Sequence, residues 1–202
     1  MILFINACVR QESRTKRLAE HYLKQQAGPA TEEGTQQQDS PVTEVDLGTL
    51  DFPSVDDAFL AKRDRLCAEG RFDDPMFDLA RQFASADSIV IAAPYWDLSF
   101  PAVLKRYLEQ VCVVGITFCY SPEGIPQGLC QAKELVYVTT VGGVQLPFDF
   151  GYGYVKALSE GYFGIRDFRL ISAAGLDLVG ADPEKILEES MREIDAARWE
   201  VL

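Results

Sequence analysis

A chain of 202 residues, 48% hydrophobic and 25% charged, has the make-up of an ordinary globular protein, and residues 1–202 are read as one domain with a substantial core. Nineteen basic against 31 acidic residues leave a formal net charge of −12, which argues against nucleic acid or an anionic membrane surface as partner. Five cysteines (Cys8, Cys67, Cys112, Cys119, Cys130) show no metal-ligand spacing, no apolar run approaches the roughly 20 residues of a membrane span, and a strand begins within two residues of the start; free thiols, no metal, no membrane and a cytoplasmic location are expected.

The chain opens on Ile2-Leu3-Phe4-Ile5, a continuous apolar run of the kind found in strands buried on both faces, and passes through Asn6-Ala7-Cys8 into a polar loop. From Val9 to Arg17 four basic residues stand against one acidic, inverting the sign of the chain as a whole. Leu18, Ala19, Tyr22 and Leu23 follow at helical spacing, so Ser13 and Thr15 fall at a helix amino terminus, where hydroxyls and unbonded N–H groups point outward. With Arg10 or Arg14 as a charge-assisted partner the place suits a phosphate; it also suits a serine N-cap ahead of a solvated basic face. Neither GxGxxG nor a P-loop sequence is present. Cys8 reads as a small buried packing residue rather than a nucleophile.

Ala27 to Ser40 is polar and is expected to form an exposed, mobile connection. Val42 to Asp46 alternates weakly, fitting an edge strand, and Phe52 to Gly70 and Phe72 to Ala86 each hold a helical piece. The stretch that organises the whole is Ser88 to Leu108: an apolar strand, a loop Pro94-Tyr95-Trp96-Asp97-Leu98, and a helix begun near Pro101 whose Val103, Leu104, Leu108 and Val111 share a face. The loop is either a ligand contact at a strand's carboxyl end or a plain turn with aromatic packing.

Gly115 to Gly128, rich in turn residues and aromatics, leaves the sheet as an excursion. Leu135 to Thr140 is the fourth strand, and Val141-Gly142-Gly143 either lets a backbone lie against a ligand or makes a tight turn. Gly151 to Phe163 is a short helix, Phe168 to Gly175 the last strand, and Asp182-Pro183 starts a final helix. Five strands alternating with helices imply an α/β three-layer sandwich with a parallel sheet in the order 2-1-3-4-5 and helices on both faces. In that order the loops after strands one, three and four meet at one crevice, combining a phosphate seat, an apolar and aromatic wall, and exposed backbone for a planar heterocycle.

APYWDLSFPAVLKRYL, followed by GITFCY, a turn from EG to QGL and the segment VTTVGG, resembles the flavodoxin-fold NAD(P)H oxidoreductases, the group of FMN-dependent azoreductases and NAD(P)H quinone reductases. The resemblance covers nearly the whole chain. It implies a flavodoxin-like fold in which Ser13 and Thr15 bind the FMN phosphate, Pro94, Tyr95, Trp96, Asp97 and Leu98 contact the isoalloxazine, and Thr139, Thr140, Val141, Gly142 and Gly143 hold its polar edge. Asp97 and Leu98 stand where azoreductases typically carry Asn and Phe, and Val141 where they carry a polar or basic residue. The activity implied is hydride transfer through flavin N5, from NAD(P)H to a quinone, azo compound or similar small acceptor, with FMN preferred to FAD. No protein side chain is then needed as a catalytic residue, since the flavin carries the chemistry. The single histidine, His21, lies on the first helix and is read as a surface or packing residue, which excludes Ser-His-Asp and Cys-His hydrolases. The resemblance further implies a homodimer with its active site at the subunit boundary, where Phe118, Tyr120 and Tyr162 are the candidates for substrate contact; core packing is the other reading of these rings. Two other functions fit the fold: a flavodoxin-type FMN electron carrier, and a ligand-binding protein without redox activity.

Overall fold

The computed structural model describes residues 1–26, 41–144, 150–196 and 200–201; the connection expected over Ala27–Ser40 lies outside them. In chain order the strands are β1 (Ile2–Asn6), β2 (Val42–Asp46), β3 (Ser88–Ala92), β4 (Phe118–Tyr120), β5 (Pro126–Gly128), β6 (Glu134–Val141), β7 (Asp167–Ala174) and β8 (Glu200–Val201). Five of them, all parallel, build the main sheet in the order β2-β1-β3-β6-β7. These are the five strands expected, in the order expected. Two additions were not. The two-residue β8 pairs antiparallel with Arg169 and Leu170, making the sheet six-stranded. The excursion forms a hairpin of β4 against β5.

Helices cover both faces. Odd and even residues of each strand point to opposite sides, and the core divides accordingly. Leu3, Ile5, Ile89, Ile91, Leu135 and Tyr137 pack with Phe83 of α3 (Asp78–Ala84), with Leu104, Tyr107, Leu108 and Val111 of α4 (Ala102–Val111) and with Val155 and Leu158 of α5 (Tyr152–Leu158). On the other face Ile2, Phe4, Val90, Val136 and Val138 meet Leu18, Tyr22 and Leu23 of α1 (Arg14–Gln26) and Leu187 and Ile194 of α6 (Pro183–Asp195). A third cluster of Leu66, Phe77, Ala80 and Val113 fastens α2 (Asp57–Ala68) to α3. The two helical pieces expected between strands two and three are therefore both present, and the second is prefaced by a 3-10 turn at Pro75–Phe77.

Local signals set several ends as read. Asp182 caps α6 by accepting from the N–H groups of Glu184 and Lys185, with Pro183 at the first position. Ser13 caps α1, its Oγ accepting from Lys16 N at 3.2 Å. His21 packs α1 against α6, its Nε2 2.7 Å from Asp195 Oδ1. Since the chain leaves β1 for β2 on one side and reaches β3 on the other, a crevice opens at the carboxyl ends of β1 and β3. No helix among the described residues is long and apolar enough to cross a membrane.

Candidate functional site

A cleft of about 360 Å³ lies over that crevice, within the range of roughly 300–1,000 Å³ usual for small-molecule sites. Four loops line it. The loop after β1 and the first turn of α1 contribute Val9, Arg10, Glu12, Ser13, Arg14 and Thr15; the loop after β3 contributes Pro94, Tyr95 and Trp96. Thr140 and Gly142 come from the end of β6, and Leu176 and Asp177 from the loop after β7.

The amino terminus of α1 is the polar floor. Helix geometry leaves the N–H groups of its first residues without carbonyl partners, and the helix dipole adds partial positive charge there. Ser13 is 8% exposed and Thr15 1%. The Thr15 hydroxyl lies 2.6 Å from Thr140 Oγ1, so it ties the helix to the end of β6. Of the nearby arginines, two are already paired: Arg14 with Asp177 at 2.7 Å, and Arg17 with both carboxylate oxygens of Glu184 at 2.9 and 2.7 Å. The Arg17 guanidinium holds the Glu184 carboxyl below its usual range. Arg10 is exposed and has no polar partner among the described residues, so it is the cation left for an incoming anion. Beneath the cleft, burial pushes the Cys8 thiol up to about 11 while a hydrogen bond from Ser13 pulls the other way, and its Sγ lies 3.7 Å from the Ala92 carbonyl. A thiol held neutral in this way is a packing group.

The wall is the loop after β3. Tyr95 N donates to Thr140 O at 3.1 Å, and Trp96 and Ser99 exchange both backbone hydrogen bonds at 2.9 and 2.7 Å. Between them Asp97 and Leu98 both adopt positive φ, 50° and 68°. This is the pattern of a type I′ turn, a conformation that aspartate tolerates and leucine resists. The carbonyl of Leu98 accepts from Phe150 N at 2.9 Å, which braces the turn. Trp96 stands at the rim, 39% exposed.

Beyond β6 the ladder continues past the strands: Leu176 N donates to Val141 O at 3.3 Å, Asp177 N to Gly142 O at 2.7 Å and Gly175 N to Gly143 O at 2.8 Å. The three carbonyls are thus taken, while no partner among the described residues accepts from the N–H groups of Gly142 and Gly143. A Cβ at Gly142 would meet the Asp177 carboxylate, the end of an exposed side chain that would have to turn aside; at Gly143 a Cβ would meet nothing within 4 Å.

Of the residues singled out from sequence, Arg10, Ser13, Thr15, Pro94, Tyr95, Trp96, Thr140 and Gly142 line the cleft. Asp97 and Leu98 form the turn beside it, Gly143 is exposed next to it, and Val141 is buried at 2%, so only its backbone faces the ladder. Thr139 points to the opposite face of the sheet, its buried hydroxyl without a partner among the described residues. Phe118, Tyr120 and Tyr162 do not line this cleft. They stack together, with Phe118 centred 5.5 Å from Tyr120 and 4.5 Å from Tyr162, and Phe118 and Tyr162 border a separate groove of about 230 Å³ beside α4. Sequence reasoning did not single out Val9 and Glu12, in a loop it did identify, nor Leu176 and Asp177, whose loop it missed; the signal available for the latter was their position just after the fifth strand, next to the Gly-Gly loop.

The family model described as the flavodoxin-like fold matches residues 1–197. The chain belongs to the flavodoxin-like family. Within that family it stands with the group of FMN-dependent azoreductases and NAD(P)H quinone reductases. An FMN-dependent NADH:quinone oxidoreductase of Clostridium beijerinckii is 36% identical over 199 residues, 94% of this chain and 93% of that one. The FMN-dependent NADH:quinone oxidoreductase 2 of Clostridium acetobutylicum is 46% identical over 128 residues, and there the matched region spans 61% of this chain and 62% of the relative. Among solved flavodoxin-like structures, the azoreductase of Bacillus anthracis superposes with a TM-score of 0.79 at 25% identity, covering 98% of this chain and 97% of that one.

Proposed function

We propose that this chain is an FMN-dependent NAD(P)H oxidoreductase that reduces quinones, azo compounds or similar small acceptors. The observation that carries the reading is the meeting of three chemically different surfaces in one 360 Å³ cleft: a helix amino terminus with an unpaired arginine, an aromatic wall, and two open backbone N–H groups. Those surfaces fit FMN. Ser13, the first N–H groups of α1 and Arg10 would hold the phosphate, as donors and positive charge at a helix amino terminus do for anions generally. Pro94, Tyr95 and Trp96 would flank the ring system, with Asp97 and Leu98 shaping the turn that carries them. The N–H groups of Gly142 and Gly143 would face its polar edge, with Thr140 below.

FMN, when bound, would supply two-electron hydride chemistry between NAD(P)H and the acceptor. The protein's part is to bind, orient and shield, which agrees with the Cys8 thiol beneath the cleft being held neutral and the chain's one histidine being used elsewhere. The same reading includes a single domain, a cytoplasmic location, to which five free cysteines are suited, and a homodimer. In the dimer the rings of Phe118, Tyr120 and Tyr162 would serve a partner's cleft, a role compatible with their distance from their own.

Anaerobic addition of NADH or NADPH to the FMN-loaded protein tests this. Bleaching of the flavin absorbance is the expected result. Bound flavin that neither nucleotide bleaches would make the protein an electron carrier, and failure to take up FMN would leave a fold without its redox role.

A further inference from the structure

Asp177 lies at the tip of the loop after β7, its side chain 67% exposed, where a carboxylate is ordinarily just solvated. Here it makes three specific contacts. Its N–H donates to Gly142 O at 2.7 Å, its carboxylate lies against the Cα of Gly142, where a Cβ would have to push it aside, and Oδ1 lies 2.7 Å from Arg14 in the first turn of α1. An exposed ion pair adds little to stability, and a carboxylate cannot itself hold a phosphate. The contacts make sense as a tie: they join the loop bearing the Gly142 and Gly143 N–H groups to the helix bearing the anion seat.

We propose that Asp177 is a positioning residue that sets the spacing between the anion seat on α1 and the backbone donors of the Gly142-Gly143 loop. The proposal rests on the FMN reading above. A ligand that engages both seats at once gains from their spacing being right, because its second contact is then intramolecular; a ligand that engages one seat does not. FMN would use both, and riboflavin, which lacks the phosphate, only the loop. The main-chain rungs to Val141, Gly142 and Gly143 do not depend on the Asp177 side chain, so the loop itself survives its removal.

The test is a titration of apo-protein with FMN and with riboflavin, for wild type, Asp177→Ala and Asp177→Asn. The expected result is a loss of FMN affinity of about tenfold in Asp177→Ala, a smaller loss in Asp177→Asn, riboflavin affinity unchanged in both, and no change in melting temperature. Should Asp177→Ala fail to fold, Asp177→Asn carries the test alone. Equal losses for FMN and riboflavin would overturn the proposal, as would tighter FMN binding, which would mean that Asp177 merely competes with phosphate for Arg14. Wild-type protein that binds neither flavin would bring down the FMN reading and this proposal together, a result distinct from wild type binding FMN while the variants keep its affinity, which refutes the proposal alone.

Discussion

The two ends of the sheet treat polar groups in opposite ways. At the amino ends of the strands, Arg169 reaches Glu134 at 3.0 Å and Asp167 through two bonds at 3.1 and 2.7 Å, and Ser88 Oγ donates to Glu134 at 3.1 Å. Charges there answer one another. At the carboxyl ends, Arg10 and the N–H groups of Gly142 and Gly143 have no partner among the described residues, and two consecutive non-glycine residues sit at positive φ. Groups left open and backbone held in a costly conformation are what a ligand site requires and a purely structural end avoids. The contrast locates function in this molecule more sharply than the size of any cavity.

Breaking each end should therefore cost a different quantity. The largest effect is expected from replacing both Ser13 and Thr15 with Ala: FMN binding weakens by about 2–3 kcal/mol, as lost hydrogen bonds to a charged group do, whereas His21→Ala leaves it unchanged. Fluorescence titration measures both, and equal effects would put the phosphate elsewhere. At the other end, Arg169→Ala strands two half-buried carboxylates and should lower stability in urea by about 2 kcal/mol; FMN affinity should not move. Leu98→Gly relieves the positive φ, with a gain of roughly 0.5–1 kcal/mol after the glycine's added chain entropy, and weakens FMN binding by loosening the turn. A variant that is less stable yet binds as before would show that the turn carries no strain for function.

The mildest effect is on pH dependence. Burial raises the Cys8 thiol from 9.0 to about 11. The unfolded chain then ionises at lower pH than the folded one, so the stabilisation is complete below pH 9 and drains away as pH rises through about 11. Denaturation midpoints followed across that window should fall, and less steeply in Cys8→Ala. Burial also raises the Tyr22 hydroxyl, which sits beside Arg169, Glu134 and Asp167, so part of the fall persists in Cys8→Ala.

Much of this was legible from the chain. Continuous apolar runs marked the strands, and Ser13 and Asp182 marked helix starts because capping depends on residues within one turn. Three of the four cleft loops followed from strand order alone. What escaped depends on contacts between distant segments. The pairing of Arg14 with Asp177 and the Thr15–Thr140 contact join residues 163 and 125 positions apart, and no local pattern foretells them. The same holds for β8, whose two residues have no periodicity to read. The contact of the Asp177 carboxylate with Gly142 is of the same kind, since it comes from the next loop.

Trp96, with its indole at the rim of the cleft, equips the molecule with a built-in optical gauge. An isoalloxazine arriving beside it would drain its excited state, so emission should fall in step with loading. Of the chain's two tryptophans, the other, Trp199, can be exchanged for phenylalanine, leaving a single emitter with which to follow arrival and departure in real time without any attached dye.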